Sequence, residues 1–142
     1  MNVDIKPVQN QLGLIRRTRH FGNPDAERTL ATCIRMSTWV WEGTIDGETA
    51  CLFGLAPPTL MSDQAYLWLT TTDVVDQHKF VFTRYSQLLV QQMLTQYSLI
   101  VGDTLVDAAR SIRWLRWLKA EFGRPCGRKL PFWIRREAWQ TQ

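Results

Sequence analysis

Cysteine and histidine are scarce in this 142-residue chain, with three of the first and two of the second. Cys33, Cys51 and Cys126 are widely separated and odd in number. That fits neither a disulfide framework nor a metal knuckle. Cys33 and Cys51 fall in apolar segments and read as buried free thiols in a reducing compartment. His20 and His78 are far apart and near no cysteine cluster, so no metal site is expected. Long apolar runs are also missing. None approaches the ~20 residues that span a bilayer, so membrane insertion is not expected. The opening "MNVDIKPVQN" lacks a basic stretch followed by an apolar one, which argues against secretion. The chain shows no internal repeat, low-complexity segment or linker. It also has no Gly-x-Ser-x-Gly, no Walker loop and no dinucleotide fingerprint, so the commonest hydrolase and nucleotide signatures are set aside.

What is present is material for a core. Apolar residues make up 45% of the chain and seven residues are tryptophan, the composition of a globular chain rather than a disordered one. One domain over residues 1–142 is expected at this length. Charge is unevenly spread. Residues 1–109 hold 8 basic and 11 acidic side chains, a net of −3, whereas residues 110–142 hold 9 and 2, a net of +7. The asymmetry points to an anionic partner: nucleic acid, a phosphorylated cofactor or an acidic protein face.

Patterning sets out the elements. Val3–Val8 alternates as a strand and Gln11–Arg19 suits a short helix. Asn23-Pro24 reads as a capped helix start, with the helix running to about Ser37. "TWVWEGTIDGETACLFGLAPP" reads as a hairpin about Asp46-Gly47. Its second arm, Ala50–Ala56, is apolar enough to be buried on both faces. Ala65–Thr71 follows as a strand. A long helix is then expected over Asp76–Tyr97, with Val81, Tyr85, Leu88 and Leu89 as its core stripe. After the short strand "SLIV", a last helix is expected from Thr104, with Asp107 completing a capping box, to about Gly123. A final strand lies around Leu130–Ile134. The order β-α-α-β-β-β-α-β-α-β predicts a mixed α/β fold: one mostly antiparallel sheet with helices on its faces.

The last helix, "DAARSIRWLRWLKAEF", carries the clearest functional question. On a wheel of about 100° per residue, Trp114, Leu118, Phe122, Leu115, Ala108 and Ile112 share one arc. Arg110, Arg113 and Arg116 take the opposite arc, with Trp117 among them. The helix is therefore an amphipathic element of a folded domain. Its apolar arc is taken by the core, which leaves none for a membrane surface. No helix-turn-helix or homeodomain context surrounds it. Trp117 is expected to be buried or stacked on Arg113, with a partner anchor as the other reading.

The element order and this helix together resemble the GNAT N-acetyltransferase fold. The pattern is most similar to the small GNAT-like proteins of tailed bacteriophages, internal virion or virion-morphogenesis proteins. It is carried by "STWVWEGTIDGETACLFGLAP", "AYLWLTTTDVVDQHKFVFTRYSQLLVQQM" and "VDAARSIRWLRWLKAEF", and covers about residues 3–134. The resemblance implies acetyl-CoA between the fourth and fifth strands. It also implies phage structural or host proteins as partners, in the host cytoplasm during infection or in the virion. Three departures stand against acetyl transfer. The family's glycine-rich pyrophosphate loop corresponds to "TTTDVVDQHKF", which has no glycine. Ala108 stands at the family's asparagine, and Leu115 at the tyrosine that protonates the leaving thiolate.

The residues left for such chemistry are few. Thr70, Thr71, Thr72, Asp73 and Arg113 are the candidates for holding acetyl-CoA, with Arg124, Arg128 and Lys129 for its 3′-phosphate. His78 and Glu42 are candidate bases. Each also has a plain structural reading: a helix cap for Thr72 or Asp73, a core histidine, an outward strand carboxylate, a solvated tail. Arg110, Arg113, Arg116 and Trp117 are the candidate partner-binding set. Three functions remain: a phage GNAT-fold protein of virion assembly with degenerate acetyl transfer, an active N-acetyltransferase acting on a host or phage protein, and a nucleic-acid-binding module using the basic C-terminal region.

Overall fold

The structure, a computed structural model, describes residues 2–17 and 24–140, the side chains of 16–17 and 24–27 excepted. The expected Asn23 cap, His20 and the end of the first helix beyond Arg17 lie outside the described residues. The elements run β1 (Val3–Pro7), α1 (Gln11–Arg17), α2 (Pro24–Met36), β2 (Trp39–Ile45), β3 (Glu48–Ala56), β4 (Gln64–Thr71), α3 (Asp73–Gln77) and α4 (Lys79–Gln96). They continue with β5 (Leu99–Leu105), α5 (Ala109–Trp117), β6 (Glu121–Phe122), β7 (Lys129–Arg135) and α6 (Arg136–Gln140). The seven strands form one sheet in the order β1-β2-β3-β4-β5-β7-β6, flanked by helices. β4 and β5 run parallel, while the β1–β2, β2–β3, β5–β7 and β6–β7 pairs are antiparallel. The mixed, mostly antiparallel sheet is as the patterning predicts.

Contacts divide the chain into two compact units. The first holds Met1–Ala56 and Trp68–Gln77. Its centre is the β2–β3 hairpin. Asp46 (φ 51°) and Gly47 (φ 84°) both take the left-handed conformation, which matches the right-handed twist of the flanking strands. Ala50, Leu52, Phe53 and Leu55 are buried, so β3 is covered on both faces, as its continuous apolar run implied. α2 and α3 pack on β3. Ser37, at the end of α2, is buried and accepts a hydrogen bond from the Trp68 indole N–H (2.6 Å) while donating to the Cys33 carbonyl (2.6 Å). Burial raises the Cys33 thiol and pushes Cys51 up to about 11, so both stay protonated near neutrality and are poor nucleophiles.

The second unit holds Pro57–Leu67 and His78–Gln142. Here the helical expectations need correction. The single helix foreseen over Asp76–Tyr97 is two, because the chain leaves helical geometry at His78 (φ −136°, ψ 50°). No glycine or proline marks the break. The core face of α4 is also offset from the expected stripe: Ser86, Val90, Met93 and Leu94 are buried, while Tyr85 and Leu88 are exposed. Apolar periodicity misses this because one buried position is a serine. Ser86 accepts the Trp114 indole N–H (2.9 Å) and donates to the Thr83 carbonyl (2.7 Å).

The last helix is shorter at both ends than expected. Thr104 belongs to β5, where seven register pairs with β7 run from Leu99–Arg135 to Leu105–Lys129. Asp107 pairs with Arg128 (3.1 Å) instead of capping, and Ala108 at the N-cap makes no side-chain cap bond. At the other end Lys119 turns left-handed (φ 67°) and the Ala120 N–H closes back on the Leu115 carbonyl (2.9 Å). Glu121 and Phe122 then pair with Trp133 and Phe132 as β6. Strand pairing here outweighs the helix propensity of Lys-Ala-Glu. α6 had no forecast; it packs on α4 and β7.

The turn into β5 carries an acid-sensitive contact. The Asp63 carboxylate accepts both the Ser98 hydroxyl and the Ser98 backbone N–H, and these bonds hold its carboxyl below the usual range, with Arg136 adding to the effect. A depressed folded-state pKa stabilises the fold above the unfolded value of about 4, and that part is lost as pH falls through the folded value. The urea midpoint is therefore expected to drop on acidification below about pH 4. Asp63→Asn should make this drop shallower, and an unchanged acid limb would remove the assignment.

Candidate functional site

The first unit contains Glu42 and the β4–α3 turn. Thr70 and Thr71 end β4, and Thr72 is the hinge into α3. Thr72 is fully engaged. Its backbone N–H donates to the Ala50 carbonyl (2.9 Å) and its hydroxyl to the Thr49 carbonyl (2.6 Å). The hydroxyl also accepts the Val74 N–H (3.3 Å), and its carbonyl accepts the Val75 N–H (3.1 Å). Thr72 is thus the helix cap, and three backbone N–H groups of the turn point at intramolecular acceptors. Asp73 and Asp76 place two acidic side chains in the first turn of α3. Glu42, paired in register with Leu52 on β2, accepts the Thr49 hydroxyl (2.6 Å). Thr49 therefore ties Glu42 to Thr72, a link the sequence did not suggest.

A CoA pyrophosphate does not fit this turn. Such a group needs free backbone N–H donors and close approach at a helix start. Here the donors on Thr72, Val74 and Val75 are occupied, no glycine opens the backbone, and two carboxylates repel the ligand's charge.

The second unit contains His78 and α5. His78 is half-buried at the α3–α4 break, not on an apolar helix face as expected, and its side chain makes no cap bond. Leu115 and Leu118 are buried and Trp114 meets Phe82 at a tilt (5.5 Å between centroids), as the wheel placed them, whereas Phe122 of the same expected arc lies on β6. The expected basic set separates. Arg110, Arg113 and Trp117 lie at i, i+3 and i+7 on one stripe, all exposed. Arg116 sits apart, its guanidinium 5.8 Å from the Phe122 centroid. Trp117 is 46% exposed. Among the described residues it has no hydrogen-bond, ring or cation partner, which corrects the expectation of burial or stacking on Arg113. The buried arc centres on Leu115 and Leu118, and at about 100° per residue Trp117 lies on the far side of that centre.

One polar pair escaped the sequence reading. The β4–β5 ladder runs over three register pairs, the last being Tyr66–Val101. Two residues beyond it, the Asp103 carboxylate accepts the Tyr66 hydroxyl (3.4 Å). A carboxylate at the end of a parallel ladder is a further candidate base. With the partners 37 positions apart in the chain, only the strand pairing reveals it. Among the described residues no group of histidine, cysteine and carboxylate side chains has the makings of a metal site, and no helix is long and apolar enough to cross a membrane.

No protein-family model matches the chain, and no curated protein matches it. Solved structures do. An acetyltransferase from Bacillus subtilis in complex with CoA superposes with a TM-score of 0.70 at 6% identity, covering 94% of this chain and 99% of that one. The ribosomal-protein-S5-alanine acetyltransferase from Vibrio fischeri gives 0.69 at 8% identity, over 99% and 97%. A candidate acetyltransferase of the GNAT family from Desulfovibrio desulfuricans gives 0.67 at 12% identity, over 95% and 99%. The chain has the GNAT acetyltransferase fold.

Proposed function

We propose that this chain is a GNAT-fold protein in which binding has replaced acetyl transfer, and that it serves virion assembly or resides within the particle of a tailed bacteriophage. The observation that carries the loss of transfer is the β4–α3 turn, with its occupied N–H groups and its two carboxylates. Ala108 and Leu115 support it, since neither side chain has a group that holds cofactor or moves a proton. The virion setting rests on the sequence pattern described above, which spans nearly the whole chain. A fold alone does not fix function, and a scaffold that retains its core without its phosphate cradle suits a structural or binding role.

Calorimetric titration with acetyl-CoA, with CoA as control, tests the first part. No heat of binding is expected at millimolar ligand. Micromolar binding would overturn it and favour the second reading, an active N-acetyltransferase. That reading draws on the CoA-bound Bacillus subtilis structure and the protein-directed Vibrio fischeri enzyme, with Asp103, Glu42 or His78 as base. For the virion setting, mass spectrometry of gradient-purified particles and assembly intermediates of the encoding phage should find the chain. Absence from both would remove that role.

A further inference from the structure

We infer that β1 is a pairing edge for a second copy of the chain, joined antiparallel about a two-fold axis at Ile5. The inference goes beyond the proposed function and does not depend on whether acetyl-CoA binds. β1 is an end strand of the sheet, with β2 as its one neighbour. The Val8 N–H donates to the Val40 carbonyl (2.8 Å) and the Asp46 N–H to the Asn2 carbonyl (2.7 Å). In an antiparallel pair, residues that turn their N–H and C=O toward the partner alternate with residues that turn them away. Asn2, Asp4, Lys6 and Val8 therefore face β2, while Val3, Ile5 and Pro7 face outward. Among the described residues no hydrogen bond meets these outward groups. Such an edge is a template for another strand.

The side chains choose the strand that fits. Asp4 and Lys6 share one face of β1, with Lys6 Nζ 3.1 Å from Asp4 Oδ2 and the side chains 44% and 75% exposed. Charge on an edge strand ordinarily discourages pairing. Here the signs alternate, and they discriminate among registers. Outward residues can meet only outward residues, so the two-fold axis must pass through a residue. An axis at Asp4 sets the two Asp4 carboxylates against each other, and one at Lys6 sets the two lysines together. An axis at either end of β1 leaves most of the strand unpaired. An axis at Ile5 sets Asp4 of each copy opposite Lys6 of the other. The contact within each chain persists, because the four charges then alternate in sign around a ring and each ammonium has three protons to share. The backbone agrees with this register. The Ile5 N–H of each copy meets the Ile5 carbonyl of the other, and each Val3 N–H meets a Pro7 carbonyl. Proline, which has no N–H to offer, is needed there only as an acceptor. At the other end of the sheet β6 is two residues long and offers no comparable edge.

The test is sedimentation equilibrium of the full chain over a concentration series. The contact is small, so a weak dimer, half-formed at about 100 μM, is expected. It should loosen as salt screens the ring of charges. Asp4→Lys leaves two lysines on this face and Lys6→Asp two aspartates. Each variant alone should therefore dimerise about tenfold more weakly. Mixed in equal amounts, the two should recover the dimer, because each lysine then meets an aspartate of the other chain. Glu42 lies opposite Lys6 on β2, so Lys6→Asp also sets like charges together within one chain. Recovery in the mixture separates the contact between copies from that internal effect. Ile5→Pro deletes an outward N–H and leaves the bonds to β2 in place, so it should abolish the dimer. Thermal melts check that each variant folds, and the mixing result stands independently of Ile5→Pro. A chain still monomeric at about 1 mM overturns the inference. So does a dimer indifferent to both charge variants, or a mixture that fails to recover it. Acetyl-CoA binding is measured separately, so the pairing edge and the loss of acetyl transfer can fail independently.

Discussion

Replacing Gly54 by alanine is expected to destabilise the fold by about 2–4 kcal/mol, from overpacking together with a broken buried hydrogen bond. A Cβ at this position would lie 2.6 Å from the Trp68 Nε1, 2.7 Å from its Cε2 and 2.7 Å from the Trp39 carbonyl oxygen. The carbonyl is backbone of the neighbouring strand, paired in register at Val40–Gly54, and cannot retreat without disturbing the ladder. The Trp68 ring can move, but doing so pulls its N–H from buried Ser37. Urea unfolding of the Gly54→Ala chain checks the magnitude. Ser37→Ala removes the acceptor without the clash and is expected to cost about 1–3 kcal/mol. Gly54→Ala costing no more than Ser37→Ala would mean that the glycine is not there for the indole. This contact also accounts for the glycine that follows Phe53 in the hairpin's second arm, a feature of the sequence pattern that has no explanation within the turn.

Trp114→Ala and Trp117→Ala are expected to differ sharply although they are one helical turn apart. Trp114 is wedged against Phe82 with its N–H on Ser86, and its removal should cost about 3 kcal/mol. Trp117 is largely exposed, so its removal should cost less than about 1 kcal/mol. Parallel denaturant titrations of the two variants decide this. A large loss on removing Trp117 would show that it is packed. Trp114→Phe retains the ring contact and leaves Ser86 still bonded to the Thr83 carbonyl, so it should recover most of the loss.

The functional readings divide along the same physical line. The absence of loop glycines, and the presence of Asp73, Asp76, Ala108 and Leu115, can be read from the chain as written. That the Thr72 N–H and hydroxyl are engaged cannot. It depends on Thr72 meeting Thr49 and Ala50, more than twenty residues away. Tyr66 and Asp103 meet for a similar reason, through pairing of two strands separated by two helices.

The sequence by itself determined the local and periodic features. Asp46-Gly47 specified its turn because few residue pairs tolerate two left-handed conformations. The apolar run of β3 specified a strand covered on both faces, and the α5 wheel put Trp114 on the core arc, though the burial also expected of Trp117 did not follow. Only the tertiary structure decided where helices end and which polar residues are buried. Thr104 joined β5 and Glu121–Phe122 joined β6 because β7 offers hydrogen-bond partners at those positions. That gain outweighs local propensities of a few tenths of a kcal/mol per residue. Ser86 is buried because an indole from α5 reaches it, so the core face of α4 is set by its neighbour as much as by its own pattern. Trp117 was left to solvent by the same packing, since a nine-residue helix that buries Leu115 and Leu118 turns the Arg110–Arg113–Trp117 stripe outward.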